Sequence, residues 1–240
     1  MTDKTVILKH ISAKDLGHLA MPDFCPRCFW IKSRLGSKRP WSSFPSIFTH
    51  IDVYSKEINK SHLKSKGHNF PWLSPFGQLT NPIPCPHWSK FSFTDPNTGV
   101  ALRGTPDEMF RLPDNTLAIL DNKTAKFTEH EDELLPLYKI QLGAYSWLAK
   151  KLNYGDVSVT GLIYYEPDTK EPSVDKVTDT GFSMSFTAHI LPIQTDLQQV
   201  ENLLVEAQKI AQSTEPPNGI LKCKDCSIIE QIINMLKVSV

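Results

Sequence analysis

RGTPDEMF at 103–110, LAILDNKTA at 117–125 and YKIQLGAYSWL at 138–148 are the stretches whose reading decides the fold. The first two are short apolar segments separated by the turn-forming Pro113, Asp114 and Asn115, which predicts neighbouring β-strands joined by a tight hairpin. The third repeats its apolar residues at helical spacing. Residues two apart in a strand face the same side, so Asp121 and Lys123 project together, ~6.6 Å apart along the strand. Asn122 points the other way and leaves its backbone carbonyl available. The hairpin brings Asp107 close to Asp121, and Gln141 and Tyr145, four apart, share one helical face.

Two carboxylates and a lysine emerging from an apolar strand call for a partner or a metal. Hard oxygen ligands suit Mg²⁺ or Mn²⁺, ions that keep several waters and bridge to phosphate. Asp107, Asp121 and the Asn122 carbonyl are available to such an ion, with Lys123 placed to orient or deprotonate a bound water and to stabilise the added charge. Gln141 and Tyr145 are placed to steady Lys123 or a phosphate. The pattern points to a metal-dependent phosphodiester-cleaving site. A solvated Asp-x-Lys strand and an ordinary helix stripe are the bland alternatives.

Outward from this unit, residues 12–35 read as a helix with Ser12 as N-cap. Ile47, Ile51, Tyr54 and Ile58 mark a second helix. Residues 67–86, rich in Pro, Gly, Asn and aromatics, read as an irregular loop. WSKFSFTD, GVALRG, DEMFRL and TLAILDNKT read as an antiparallel meander. A helix over 134–152 follows, with Pro136 tolerated in its first turn. DVSVTGLIYYEP and GFSMSFTAHILPI are strands, TDLQQVENLLVEAQKIAQS is an amphipathic helix, and a last helix spans 227–236. The expected organisation is a single α/β domain of three parts: 24–94 basic and aromatic-rich, 95–192 the core, and 193–240 C-terminal helices.

The chain of 240 residues, 40% hydrophobic, is long enough for one sizeable core. It has no membrane-length apolar run and no secretory pattern at its N-terminus, so a cytoplasmic protein is expected. The formal net charge of zero hides an asymmetry. Between 24 and 94 the acids are Asp52 and Glu57, against Arg27, Lys32, Arg34, Lys38, Arg39, Lys56, Lys60, Lys64, Lys66 and Lys90. Trp30, Trp41, Trp72 and Trp88 are interleaved with those cations. Cations bind phosphates and aromatic faces stack on splayed bases, so this part suits single-stranded or frayed nucleic acid.

Cys25 and Cys28 form one C-x-x-C and Cys223 and Cys226 another, with Cys85 isolated between them. Two such pairs in a cytosolic chain favour a metal centre over disulfides. Spacing leaves zinc and an iron–sulfur cluster equally open.

Taken together, GTPDEMF, LAILDNKTA and YKIQLGAYSWLAKKL resemble the PD-(D/E)XK nuclease superfamily. The branch they match holds the RecB nuclease domain and the CRISPR-associated RecB-like exonucleases. The resemblance is strong over 104–152 and looser elsewhere. It implies a restriction-endonuclease-like core, a mixed sheet flanked by helices. It also implies Asp107 and Asp121 as metal ligands, Lys123 as catalytic lysine, and Gln141 and Tyr145 as the motif of the following helix. The implied activity is divalent-metal-dependent DNA cleavage at single-stranded or frayed ends, in repair, recombination or CRISPR-type processing. A helicase or integrase is the implied class of partner. That branch often carries an upstream metal-ligating histidine, for which His50 in IFTHIDVY is the candidate, a solvent-facing histidine being the alternative. Several relatives close the core with a [4Fe-4S] cluster bridging both termini, usually on one early and three late cysteines. Here the layout is two and two, which keeps Zn²⁺ as the alternative. The rival functional readings are a catalytically silent nuclease-like module with a structural zinc site, and a zinc-ribbon interaction protein.

Overall fold

The computed structural model describes residues 8–35, 45–79, 81–128, 132–169 and 177–238. Its centre is the strand β6 (Leu117–Lys123), whose residues 117–121 are buried. Of the other early elements, β1 is His10–Ser12, α1 Ala13–Gly17, α2 Pro26–Leu35, α3 Ser46–Lys66, β2 Asn81–Ile83, β3 Ser92–Thr94, β4 Ala101–Arg103 and β5 Glu108–Arg111. After β6 come α4 (Leu135–Lys151), β7 (Val157–Pro167), β8 (Val177–Thr178), β9 (Gly181–Phe182), β10 (Phe186–Pro192), α5 (Leu197–Gln212) and α6 (Lys224–Val238).

Five strands form the main sheet in the order β10-β7-β6-β5-β2. β6 pairs antiparallel with β5 and parallel with β7, so the sheet is mixed. A parallel neighbour needs a crossover, and α4 provides it. Alternation along β6 divides the core. Leu117 and Ile119 face α4 and pack with Met109, Leu137 and Leu148. Ala118 and Leu120 face the other way, against Leu73 and Phe76 of a 3₁₀ turn spanning Pro71–Phe76. Each fully buried leucine or isoleucine here contributes about 1.5–3 kcal/mol. Gly161 of β7 allows the 3₁₀ turn this close, since a Cβ there would sit 2.1 Å from a Phe76 ring carbon. Gly161→Ala would force the turn off the sheet.

α4 is apolar around its circumference because it is enclosed by the sheet, α1 and α5. α5 buries one stripe, Val200, Leu203, Leu204, Ala207 and Ala211, and begins where the Asp196 carboxylate accepts from the Gln198 amide. α3 buries no residue fully and stops at Gly67, whose φ of 75° favours a residue without a Cβ.

The architecture is thus mixed α/β, with mixed sheets flanked by helices. Three local expectations are corrected. The helix expected over 12–35 is broken into α1, a 3₁₀ turn (His18–Ala20) and α2, because Pro22 and Pro26 cannot continue a helical hydrogen-bond ladder. The meander is split: β4 pairs with β3 on one side and with β1 on the other in a separate three-stranded sheet, while β5 and β6 belong to the main one. Gly104 to Pro106 redirects the chain between them. The irregular stretch 67–86 contains the 3₁₀ turn and β2, which pairs with β5 at the sheet edge. Among the described residues, no helix is long and apolar enough to cross a membrane.

Candidate functional site

The β5–β6 hairpin is closed by Pro113 to Thr116, with the Asp114 carboxylate accepting from the Thr116 amide and hydroxyl. Its register sets Glu108 opposite Leu120. Continued by one position, that register sets Asp107 opposite Asp121, and residues directly opposite share a face. Both carboxylates therefore sit at the open end of the hairpin, on the side covered by α4. Asp107 accepts from the Asn122 amide at 2.7 Å. In an extended strand the N–H and C=O of one residue point to the same edge, so the Asn122 carbonyl faces this edge too.

Asp121 is 4% exposed and fully partnered. One oxygen pairs with Lys123 and the other accepts from Gln141 Nε2 at 3.2 Å. Gln141 Oε1 accepts from Lys123 Nζ at 3.3 Å, which closes a three-residue ring. The Gln141 amide also donates to the Tyr145 hydroxyl at 2.9 Å, and the Tyr138 ring lies 4.0 Å from Lys123 Nζ. Burial, then the Asp121 charge, pushes the Tyr145 phenol well above its ordinary range, so it stays protonated. Gly104 makes room for Tyr145: a Cβ there would meet the ring at 2.4 Å.

Two further groups at the site carry no sequence signal that singles them out. Lys56 of α3 reaches Asp107 and Asp52, each at 2.7 Å. Asn59, one turn on, bonds both Glu108 and the Tyr165 hydroxyl. Glu108 lies on the opposite face from Asp107 and is shared with Asn122 Nδ2 at 3.4 Å. Burial raises its pKa, partly offset by those amides. At Asp107 burial and the Asp121 charge outweigh Lys56 and lift the carboxyl to about 7. At Lys56 the balance is opposite: two aspartates overcome burial and raise the ammonium. The i,i+4 pair of Asp52 and Lys56 reads in sequence as ordinary helix support, and only the placement of α3 beside Asp107 and Glu108 turns it toward the site.

Asp107, Asp121, Lys123, Gln141 and Tyr145 are thus brought together. His50 is not. It is exposed in the first turn of α3, six residues and ~9 Å along the axis from Lys56. The side chain that α3 presents to Asp107 is a lysine. Among the described residues, no third His, Cys, Asp or Glu joins the two aspartates in a compact ligand set. Every oxygen of Asp107 and Asp121 has a donor, yet each carboxylate oxygen has a second lone pair. Two hard oxygen ligands and a nearby carbonyl suit Mg²⁺ or Mn²⁺, and displacing Lys56 would leave it paired with Asp52.

Outside this hairpin, Cys25, Cys28, Cys223 and Cys226 place their sulfurs within 4.8 Å of one another. Cys25 and Cys226 are 3.6 Å apart, Cys28 and Cys223 3.5 Å, and Cys28 and Cys226 3.6 Å. Burial opposes ionisation of Cys25, but amides of Cys28 and Ile220 and the neighbouring thiols bring it down to about 7. Cys226 is pushed up to about 11, by burial first and then by Cys25. Four cysteines this close can bind a metal such as zinc or an iron–sulfur cluster. The junction has other support: Arg27 bonds the Pro217 carbonyl and Glu230, while Trp30 and Arg34 both donate to the Ser213 carbonyl. Cys85 lies elsewhere, against the Asp107 carbonyl.

The basic, aromatic segment is largely absorbed by such contacts. Arg34 stacks on Trp30, Trp72 stacks on Phe70, Lys32 pairs with Asp15 and Lys60 with Glu57. Lys38, Arg39 and Trp41 lie outside the described residues. Trp88 is 48% exposed, with Arg103 4.9 Å from its ring.

No protein-family model matches the chain, and no curated protein matches it. Among solved structures, one titled crystal structure of SSO0001 is similar over 86% of this chain and 77% of that one, at 15% identity and a TM-score of 0.43, a likeness too slight to carry an argument.

Proposed function

We propose that the chain is a divalent-metal-dependent nuclease of the PD-(D/E)XK type, with a restriction-endonuclease-like core, that hydrolyses phosphodiester bonds in DNA. The observation that carries this reading is the closed ring of Asp121, Lys123 and Gln141, with Asp107 facing it across the hairpin. A buried carboxylate and ammonium held this way, at the open end of a hairpin, are costly to retain without a task.

When bound, Mg²⁺ or Mn²⁺ supplies a Lewis acid and an acidified water. Asp107 and Asp121 would hold it, with the Asn122 carbonyl at the same edge. Lys123, paired with Asp121, would stand beside the reacting phosphate, where an ammonium offsets the negative charge that builds up. Gln141 fixes both partners of the Asp121–Lys123 pair, and Tyr145, kept protonated by burial, fixes Gln141. The test is cleavage of end-labelled single-stranded and duplex DNA with Mg²⁺, Mn²⁺ or EDTA. Activity should need the metal and vanish in Asp121→Asn; metal-independent cleavage, or full activity in Asp121→Asn, sinks the reading.

For the cysteine centre we propose a single zinc ion. A tetrahedral ion with ~2.3 Å bonds to sulfur has sulfurs ~3.8 Å apart, close to the 3.5–3.6 Å of three of the sulfur pairs, with all four sulfurs inside 4.8 Å. A [4Fe-4S] cube puts each thiolate on a different iron and needs a wider set. Anaerobically purified protein should be colourless with about one zinc per chain; a brown protein containing iron returns the cluster.

One observation favours a second reading, a silent nuclease-like module with a structural zinc site. Asp107 and Asp121 each already carry a lysine, so the pair is neutralised without a metal. Absence of Mn²⁺ binding in a titration of the full chain would decide for it.

A further inference from the structure

Next to the Gln141–Tyr145 end of the acidic site opens a cavity of about 420 Å³ whose wall includes Lys14, Trp88, Arg103 and Gly104. A second cavity of about 410 Å³ adjoins it, sharing Ser12 and Arg103 and adding Lys9, His10 and Lys32. Lys32 is committed to Asp15. Lys9, Lys14 and Arg103 make no ion pair with any described residue, unlike Lys56, Lys60 and Lys123. Cations left unneutralised around a concavity raise the local concentration of anions.

Trp88 completes the pattern. Trp30 is capped by Arg34 and Trp147 is buried, while Trp72, 37% exposed and stacked on Phe70, does not line this cavity. Trp88 remains 48% exposed, on the wall of the cavity that reaches Gln141 and Tyr145, with a guanidinium beside its ring. An aromatic face paired with arginine binds bases without reading their sequence.

We propose that this mouth is the entry site for single-stranded DNA: a base stacks on Trp88 while the backbone passes Arg103, with Lys14 and Lys9 on either side. The choice of a polynucleotide that ends at the acidic pair presupposes the nuclease reading, and it moves the interface from the segment 24–94 as a whole to one tryptophan and three flanking cations.

The test uses the full chain in EDTA, so that binding is separated from cleavage, with fluorescein-labelled dT₂₀ and anisotropy at several salt concentrations. Trp88→Ala should weaken binding about 5- to 100-fold with an unchanged salt slope. Trp88→Phe should retain most of the affinity, which controls for folding. Arg103→Ala should weaken binding and lower the salt slope by ~0.7, the value for one phosphate contact on a single strand. Lys60→Ala with Lys64→Ala, on α3, should stay within about twofold. The mouth is overturned if Trp88→Ala and Arg103→Ala both bind like the wild type, if the α3 pair loses as much as they do, or if the wild type does not bind dT₂₀. Tighter binding of rU₂₀ overturns DNA as the occupant. Cleavage by the wild type with normal binding by the mouth variants sinks the mouth and leaves the nuclease; binding through Trp88 without metal-dependent cleavage does the reverse.

Discussion

The acidic site and the cysteine centre are both clusters of charged or ionisable side chains, but they are held by different means. Asp107 to Tyr145 come from a hairpin and the helix that follows it, and every side chain rests on the core of the main sheet. The cysteine centre joins residues 195 to 201 positions apart. Around it α6 has exposed Ile228, Ile232, Ile233, Met235 and Leu236, so few apolar contacts anchor it. Local strand pairing and burial fix the first site, whereas at the second the Arg27, Trp30 and Arg34 contacts hold the junction and a bound metal would further offset the chain entropy of bringing distant segments together.

The largest expected effect tests that contrast. Cys226→Ser removes the buried thiol that touches both Cys25 and Cys28. The ion's contribution to folding should fall by several kcal/mol. Hydrogen exchange should then rise together over α2 and α6, while β6 and α4 keep their protection. Simultaneous loss of protection in β6 would show that the two regions fold as one unit.

Next in size, Lys123→Ala should lower the cleavage rate ~10²-fold or more, equivalent to ~2.7 kcal/mol of transition-state stabilisation. Its melting temperature should fall as well, because the buried Asp121 carboxylate loses its ammonium and keeps Gln141 as its donor. A mutant that cleaves normally removes Lys123 from the mechanism; one that unfolds makes the lysine structural.

Asp107 gives a smaller, pH-dependent signature. Its folded pKa of about 7 lies above the ~3.9 of an unfolded chain. Its stabilising contribution is therefore complete below about pH 4 and is lost as pH rises through 7. Without divalent ions, Asp107→Asn should gain on the wild type by on the order of 2 kcal/mol between pH 5 and 8. Parallel melting curves across that range would mean that Lys56 neutralises Asp107 completely.

Smallest of all is Cys85→Ser. Burial, then Asp107, pushes this thiol up to about 12, and it lies outside the cysteine centre. Zinc content should be unchanged and stability altered by about 1 kcal/mol or less. Loss of metal would bring a fifth thiol into the comparison.

Much of the site was legible because its geometry is local. A period of two sets Asp121 beside Lys123, a period of 3.6 sets Gln141 above Tyr145, and a turn rich in Pro, Asp and Asn folds Asp107 back toward Asp121. What decides between a hairpin and a meander is less local. Nothing in WSKFSFTD or GVALRG says that their strands leave the main sheet for β1, since pairing partners are chosen by which apolar faces meet. The break at Pro22 and Pro26 was visible in the residues themselves, but helical spacing on both sides masked it.

By itself, then, the sequence determined the β5–β6–α4 unit, the side chains it gathers, and the pairing of cysteines into two C-x-x-C motifs, all consequences of short-range backbone periodicity and turn chemistry. Tertiary structure alone decided that Lys56 rather than His50 meets Asp107, how close the four cysteine sulfurs come, and that Trp88 stays exposed on the wall of a cavity reaching Gln141 while Trp30 is capped by Arg34. These outcomes depend on how α3, the termini and the loop before β3 pack against distant elements, and burial, unlike periodicity, is a property of the whole chain.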